Sequence, residues 1–387
     1  MGATESDEVE MLRESLRRFV EREMSRELAR KWDREDIFPR DVFRKLSGLG
    51  VTGLTVPAQF GGSGPNIVAT MATIEELAKR SLAVAVPYIM CACYAGMNIG
   101  ESGTAEQKSE LLPRIAKGDV LFALGLTEPD VGADLASVKA TARRDGDQIV
   151  INGTKRFCTG ANIADYIYCL ARTDAQERRF KNLSIVLVPT KTRGVTITVT
   201  DSIGMKGAPT ADVTLDDVVI PSDNVIGGDA GWNQGWPMLM GPVLNVERLE
   251  VTAMALGIAE AAVADAWTYS QERVQFGKKI SGFQAIRHSL SNMKTDLRAC
   301  RLMLYDAAAR VDRGESCSVE SAMAKLFVCE RGKAIVLECQ TIIGAYGLTK
   351  EFDVERNVRD MLILPIAGGS SNIQRNNIAN MLGLAKS

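Results

Sequence analysis

The residues of this chain that could do chemistry are few and well separated. Glu247 and Glu250 stand about one helical turn apart in the run Leu244-Asn245-Val246-Glu247-Arg248-Leu249-Glu250. A carboxylate near the start of a helix is stabilised by the helix dipole and needs no further role. In a poorly solvated cleft, however, the same group becomes basic enough to take a proton from a weak carbon acid. Arg273, in Glu272-Arg273-Val274-Gln275-Phe276-Gly277, carries a fixed fork of donors that suits a diphosphate, although a solvated arginine at a helix end is the common alternative. The eight cysteines include no Cys-x-x-Cys pair, and His288 is the single histidine. That combination argues against a zinc site and against any histidine-dependent triad.

Three stretches of different character must position these groups. From about Glu5 to Gly118 the pattern is helical, with Leu12, Leu16, Phe19 and Val20, then Val42, Phe43, Leu46 and Leu49, at three- and four-residue spacing. A Gly/Pro loop from Pro57 to Pro65 interrupts it. From Phe122 to about Ile226 short β-branched runs dominate, and Asn152-Gly153 between two of them predicts a hairpin turn. Helical periodicity returns from about Pro237, broken at Phe276–Ser281 and Gly344–Gly347. The expected domains are 1–119, 120–226 and 227–387, mainly α with a β unit in the middle. With 387 residues, 46% of them hydrophobic, the chain can bury a large core. Its 46 basic and 48 acidic residues leave a net charge of -2 and no global field for gripping nucleic acid or an acidic membrane. The polar, acidic start does not look like a targeting signal, and no run is expected to reach the ~20 apolar residues of a membrane span, so a cytoplasmic location is the expectation.

The segment Leu126-Thr-Glu-Pro-Asp-Val-Gly-Ala-Asp134 resembles the flavin loop of the acyl-CoA dehydrogenase family, Thr-Glu-Pro-x-x-Gly-Ser-Asp. The resemblance continues in family order through INGTKRFCTGANIADYIYCLARTD, ERVQFGKKISGFQAI, the Ile342–Gly347 turn and the C-terminal GGSSNIQR. It implies an N-terminal helical domain, a β-barrel-like middle domain and a C-terminal four-helix bundle, with FAD between the last two. By position, Leu124, Leu126 and Thr127 would border the flavin ring, Phe157 would cover one face and Thr159 would donate toward N5. Arg273, Gln275 and Phe276 match the element that reaches the FAD of a neighbouring subunit. Gln284, Thr341, Gly344, Ser370 and Asn372 fall at further FAD-contacting positions, Thr341 where relatives carry Gln. A homo-oligomer, usually a tetramer, is implied, with apolar faces in 285–345 (Met293, Leu297, Leu302, Leu304, Leu326 and Phe327) expected to drive it.

The chemistry implied is α,β-dehydrogenation of an acyl-CoA thioester, a carboxylate taking the α-proton while the β-hydride passes to the flavin, and electrons leaving to an electron-transfer flavoprotein. Most relatives carry that carboxylate in Tyr-Glu-Gly-Thr-Ser. Here the segment reads Ala367-Gly368-Gly369-Ser370-Ser371, so Gly368 replaces the usual glutamate. A minority branch, which includes isovaleryl-CoA dehydrogenase-like enzymes, carries its glutamate where Glu247 stands, and loss on one wall with gain on the other is what a relocated base implies. The Gly368 N–H would hold the thioester oxygen, and moving the glutamate back to 368 is expected to restore part of the rate lost with Glu247. Leu244, Asn245, Arg248 and Ala133 fall at substrate-side positions, Asn245 in place of an Asp and Ala133 in place of the flavin-loop Ser. The helix 82–98 would line the acyl pocket. A carrier-protein-linked dehydrogenase, an enoyl-CoA reductase and an inactive flavoprotein subunit remain as alternatives on the same scaffold.

Overall fold

The computed structural model describes residues 6–174, 179–241 and 243–384. The N-terminal part is helical: α1 (Asp7–Glu23), α2 (Arg26–Glu35), α3 (Arg40–Ser47), α4 (Ile67–Ala78), α5 (Leu82–Ile89), α6 (Asn98–Ser102) and α7 (Ala105–Ala116). Helix α1 begins where Ser6 Oγ accepts the Val9 N–H and three acidic residues fill the first turn, which suits the positive end of the helix dipole. Leu16, Phe19, Val20, Phe43 and Leu46 enter the core, whereas Leu49, expected with them, is exposed, because α3 ends at Ser47 and Leu49 lies in the turn beyond. Pro87 lacks the N–H that would continue the helical ladder, and the chain passes through a π-helix at Met90–Met97 between α5 and α6. Contrary to the sequence expectation, Leu82–Ser102 is long and apolar enough by composition to cross a membrane; with 94% of its apolar 18-residue window buried it is a core helix of the fold.

The middle of the chain forms one sheet from β1 (Phe122–Gly125), β2 (Thr141–Asp145), β3 (Gln148–Lys155), β4 (Tyr166–Arg172), β5 (Leu183–Pro189), β6 (Val195–Val199) and β7 (Ala211–Pro221). The strand order is β1-β4-β2-β3-β7-β6, with β5 on the other side of β4. The sheet curls around Ile149, Ile151, Ile167, Val186, Val213 and Val218. The predicted hairpin at Asn152-Gly153 is not there. Those residues lie inside β3, where the register against β7 shifts between Ile151 and Gly153, and a Cβ on Gly153 would sit 2.6 Å from Ala140 Cβ. Asn-Gly here makes a bulge, which needs the same tolerance of unusual backbone as a turn. The turn is at Gly146-Asp147, between the paired Asp145 and Gln148, with Gly146 at φ 63°.

The C-terminal part comprises α8 (Gly228–Gly231), α9 (Gly235–Met240), α10 (Val243–Glu272), the hairpin of β8 (Val274–Gln275) and β9 (Lys278–Lys279), α11 (Gln284–Asp312), α12 (Ser318–Ile343), α13 (Val354–Met361) and α14 (Ser371–Met381). Helix α10 packs against α4, α11 and α12, and is correspondingly apolar over most of its circumference. It crosses α4 so closely that a Cβ on Gly257 would lie 2.4 Å from the Glu75 carbonyl oxygen. Met293, Leu297 and Leu304, expected at subunit contacts, instead fill the bundle of a single chain. Leu302 and Phe327 are exposed and Leu326 is half-buried.

Candidate active site

Two walls meet where α10 begins and the chain turns into α14. On α10, Glu247 is half-buried. Opposite it, Gly368 and Gly369 turn sharply at φ 61° and 78°. A Cβ placed on Gly368 would lie 3.8 Å from Glu247 Oε1 and 3.1 Å from Val251 Cγ2. The Glu247 carboxylate therefore occupies space next to the position from which a side chain at 368 would project. The turn is anchored from behind: Lys325 Nζ donates to the Gly369 carbonyl at 2.7 Å, and Gln374 Nε2 donates to the carbonyls of Gly368 and Gly369 at 3.2 and 3.0 Å. The Gly368 N–H has no acceptor among the described residues, which leaves it available to an oxygen in the cleft.

Electrostatics separate the nearby acids. Burial pushes the Glu247 carboxyl above the ordinary carboxylate range, while donation from the Tyr94 hydroxyl and the charges of Arg248 and Lys325 pull it partly back. Glu250 has no such cations, and burial together with the neighbouring Glu247 pushes it much higher. Burial also pushes the Lys325 ammonium down. Lys325 and Tyr94 were not singled out in the sequence. The signal for the first was a lone lysine in the apolar run Ser321-Ala-Met-Ala-Lys-Leu-Phe-Val-Cys329.

The residues resembling a flavin site converge on the sheet edge. Arg156 N–H donates to the Thr127 carbonyl at 2.8 Å and Cys158 N–H to the Ala211 carbonyl at 2.8 Å. These bonds bring the 126–128 loop against the 156–160 turn, so that Leu124, Leu126, Thr127 and Thr159 are gathered and each partly exposed. Phe157 sits among them at φ 58° with 56% of its surface exposed, an aromatic face held open by an uncommon backbone conformation. The loop itself is fixed by Glu128, which accepts from the Lys139 and Ala140 N–H groups at 2.6 and 2.8 Å and from the wholly buried Lys155 at 2.8 Å. Hydroxyl, backbone and flat apolar surface together fit the edge and face of an isoalloxazine ring.

Other predicted positions are placed differently. Arg248, expected to meet substrate, is 5% exposed and lies in the seam with α12, its Nη1 donating to Asn245 Oδ1 at 3.2 Å and to the Ser318 carbonyl and Ser321 Oγ at 3.4 Å. Asn245 is thereby occupied in orienting Arg248. Leu244 is partly exposed, and Ala133 is exposed in the loop where Asp134 pairs with Arg179. Ser370 caps α14 through Ile373 N–H, and Asn372 is exposed on that helix. Arg273, Gln275, Phe276 and Gln284 are all exposed on and after the β8–β9 hairpin, with Phe276 93% exposed. Arg273 lies over the Tyr346 ring in the segment that follows Thr341 and Gly344. At about 1.5 Å of rise per residue, roughly 39 Å of helix separates Glu247 from Arg273. The hairpin thus lies at the far end of α10 from Glu247 and Gly368.

Family models described as the N-terminal, middle and C-terminal domains of acyl-CoA dehydrogenase match residues 6–119, 123–218 and 233–383. The chain belongs to the acyl-CoA dehydrogenase family. It is 35% identical over 378 residues to a 3-(aryl)acrylate reductase of Clostridium sporogenes, covering 97% of this chain and 99% of that one. It is 33% identical over 378 residues to the caffeyl-CoA reductase-Etf complex subunit CarC of Acetobacterium woodii, covering 97% and 98%. Butyryl-CoA dehydrogenase from Megasphaera elsdenii shares the fold with a TM-score of 0.93 at 30% identity, covering 99% of this chain and 100% of that one. This acyl-CoA dehydrogenase-family chain is thus an oxidoreductase with the three-domain fold of its family.

Proposed function

We propose that the protein binds FAD and interconverts an acyl-CoA with its α,β-unsaturated counterpart, Glu247 being the group that takes or returns the α-proton. The observation that carries this reading is the 3.8 Å approach of Glu247 Oε1 to the Cβ position of Gly368, which puts a carboxylate on the cleft although the usual glutamate is missing. FAD, when bound, supplies the two-electron acceptor or donor. Leu124, Leu126, Thr127, Phe157 and Thr159 would hold its ring system. The Gly368 N–H would bind the thioester oxygen and so stabilise the charge that develops on it as the α-proton leaves. Lys325, fixing the carbonyl of Gly369, keeps the glycine turn in the conformation that presents that N–H. Because Arg273 stands at the far end of α10, the hairpin carrying it would complete the cofactor site of a second copy, and a homo-oligomer, tetrameric in its usual form, follows. An electron-transfer flavoprotein is the proposed redox partner, a reading supported by the relative that is a subunit of an Etf complex.

A second reading, the reductive direction, is favoured by relatives named reductases and by burial of the Glu247 carboxyl, which shifts it toward the protonated form that a proton donor needs. The experiment that tests both is an anaerobic screen of acyl-CoA and enoyl-CoA thioesters, following flavin absorbance from oxidised and from reduced protein. Bleaching by an acyl-CoA supports the oxidative direction, recovery of colour by an enoyl-CoA the reductive one, and no change with any thioester contradicts the proposal.

Two further outcomes follow. Arg273→Ala should weaken FAD retention and loosen the oligomer together, read by flavin content after gel filtration and by mass in solution. Retention of both at native levels contradicts a cofactor contact that crosses subunits. In the oxidative direction Glu247 must be ionised, so the rate of flavin reduction should rise with pH along a limb centred above the ordinary carboxylate range. Tyr94→Phe removes a donor that favours the ionised form and should move that limb to higher pH. A limb at the ordinary carboxylate value, or one that Tyr94→Phe leaves in place, contradicts the assignment.

A further inference from the structure

A cleft of about 540 Å³ opens among α1, α2, the end of α4, α10 and α11, a size within the usual range of small-molecule sites. It lies beside Glu260 and Ala264, roughly 20–25 Å along α10 from Glu247 at 1.5 Å of rise per residue. None of the residues assigned above to flavin or thioester lines it. Its walls carry seven cations and three carboxylates. Lys294, Arg298 and Arg301 follow one another at four- and three-residue spacing and so share one face of α11. Arg17 enters from α1, Arg26 from the start of α2, and Lys79 and Arg80 from just past the end of α4.

The protein's own carboxylates do not neutralise this wall. Of Glu21, Glu76 and Glu260, the last two are already taken by Arg17, Lys79 and Arg301. The carboxylates behind the lining are shared in turn. Glu10 meets Arg17, Asp265 meets Arg26, Glu75 meets Arg13, Lys79 and Arg301, and Asp353 meets Arg26, Arg30 and Arg356. With these partners included, cations still outnumber carboxylates ten to seven. Arg80, Lys294 and Arg298 have no carboxylate within ion-pair distance among the described residues. Lys294 lies over the Trp267 ring instead. Arg80 is half-buried; burial and then the nearby Arg26 hold its guanidinium below the ordinary value, Arg356 adding to this and Asp353 and Asp265 opposing it. Arg356 itself is 4% exposed, donates through Nη2 to the Arg80 carbonyl at 3.2 Å and has no partner for Nη1. Cations gathered from several helices without matching carboxylates repel one another, and an anion that reaches several of them at once relieves that repulsion.

We propose that this cleft is a binding site for a small anion that carries two or three linked phosphoryl groups. A phosphate chain spreads its charges along its length and can meet cations from different helices together. Five of the seven lining cations are arginines, whose forked donors match phosphate oxygens. Held there, the anion joins α1 and α2 to α11, and because it binds only the folded chain it also stabilises it.

The test is calorimetric titration of the purified full-length protein with tripolyphosphate, ATP and hexaglutamate in turn, in about 0.1 M salt so that distant surface charges are screened. Tripolyphosphate should bind at one site per chain and raise the unfolding temperature. Arg298→Gln and Arg80→Gln should each weaken that binding by about three- to tenfold. Arg18→Gln, the same loss of charge at an exposed residue of α1 outside the cleft, should leave it unchanged. Arg298 and Lys294 are exposed, so Arg298→Gln and Lys294→Gln keep the test decisive if Arg80→Gln does not fold. Equal affinity for ATP and tripolyphosphate supports recognition of the phosphate chain alone, and tighter binding of ATP supports a nucleotide whose base rests on Val20, Ala261 and Leu297. Binding that Arg298→Gln and Arg80→Gln leave unchanged puts the anion at another site and overturns the proposal. So does the absence of binding by tripolyphosphate and ATP, and so does hexaglutamate binding where tripolyphosphate does not, which would assign the cleft to an acidic protein segment. None of these titrations involves a thioester, so their outcome leaves the role of Glu247 to its own tests.

Discussion

Glu75→Gln is expected to destabilise the fold by about 3–5 kcal/mol, the range for breaking a buried ion pair from one side. Glu75 lies on α4, is 0% exposed, and accepts from Arg13 at 3.0 Å, from the Tyr305 hydroxyl at 2.6 Å and from Arg301, with Lys79 at 3.4 Å. It thereby ties α1 and α11 to α4 at the point where α10 crosses. Burial alone would raise its carboxyl, but the charges of Lys79, Arg13 and Arg301 outweigh burial and hold it below the ordinary range. A neutral amide leaves these cations crowded, Arg13 among them at 1% exposure. A carboxyl held low contributes stability above its unfolded-state value and loses it as pH falls, so the gap between native and Glu75→Gln should be complete near neutrality and narrow in acid. Urea midpoints at several pH values measure this. Glu14→Gln, which removes an exposed i,i+4 pair with Arg18, is the comparison and should cost under about 0.5 kcal/mol. Equal small losses in both variants would show that the buried network does not hold the helical layers together.

How far the sequence could be read depended on the kind of signal. The layout of helices, sheet and helices was legible from periodicity, and the flavin-loop and C-terminal motifs pointed to the family. The exchange of a glutamate at 368 for one at 247 was legible as a pair of substitutions, and the two positions do face each other. The ease of reversing it was not. Gly368 sits at φ 61° with its Cβ position 3.1 Å from Val251 Cγ2, so a glutamate returned to 368 meets left-handed backbone and a tight contact at once. The recovery expected from that exchange requires the turn to shift. Lys155 and Lys325 were missed because a buried lysine has the same letter as a solvated one, and only the fold shows that Glu128 and the Gly369 carbonyl receive them. The π-helix at Met90–Met97 was foreshadowed by Pro87 alone. Asn152-Gly153 was misread because turns and bulges ask for the same residues. Met293, Leu297 and Leu304 were assigned to subunit contacts because apolar periodicity records that a face is covered, without recording by what.

The central claim, that Glu247 moves the α-proton, is tested most directly by Glu247→Gln in a rapid-mixing measurement of flavin reduction under anaerobic conditions. The amide has nearly the shape of the acid, so the glycine turn and thioester binding should persist, while the group can no longer accept a proton. Removing a general base slows such a step by roughly 10²–10⁴-fold, and the loss should appear in the limiting rate of reduction rather than in the thioester concentration that half-saturates it. Glu250→Gln, at a carboxyl that burial and the neighbouring Glu247 push well above the ordinary range, should be far less affected on the same substrate. A Glu247→Gln protein that binds flavin and thioester and reduces its flavin at the native limiting rate would contradict the account, since the α-proton would then be leaving by another group.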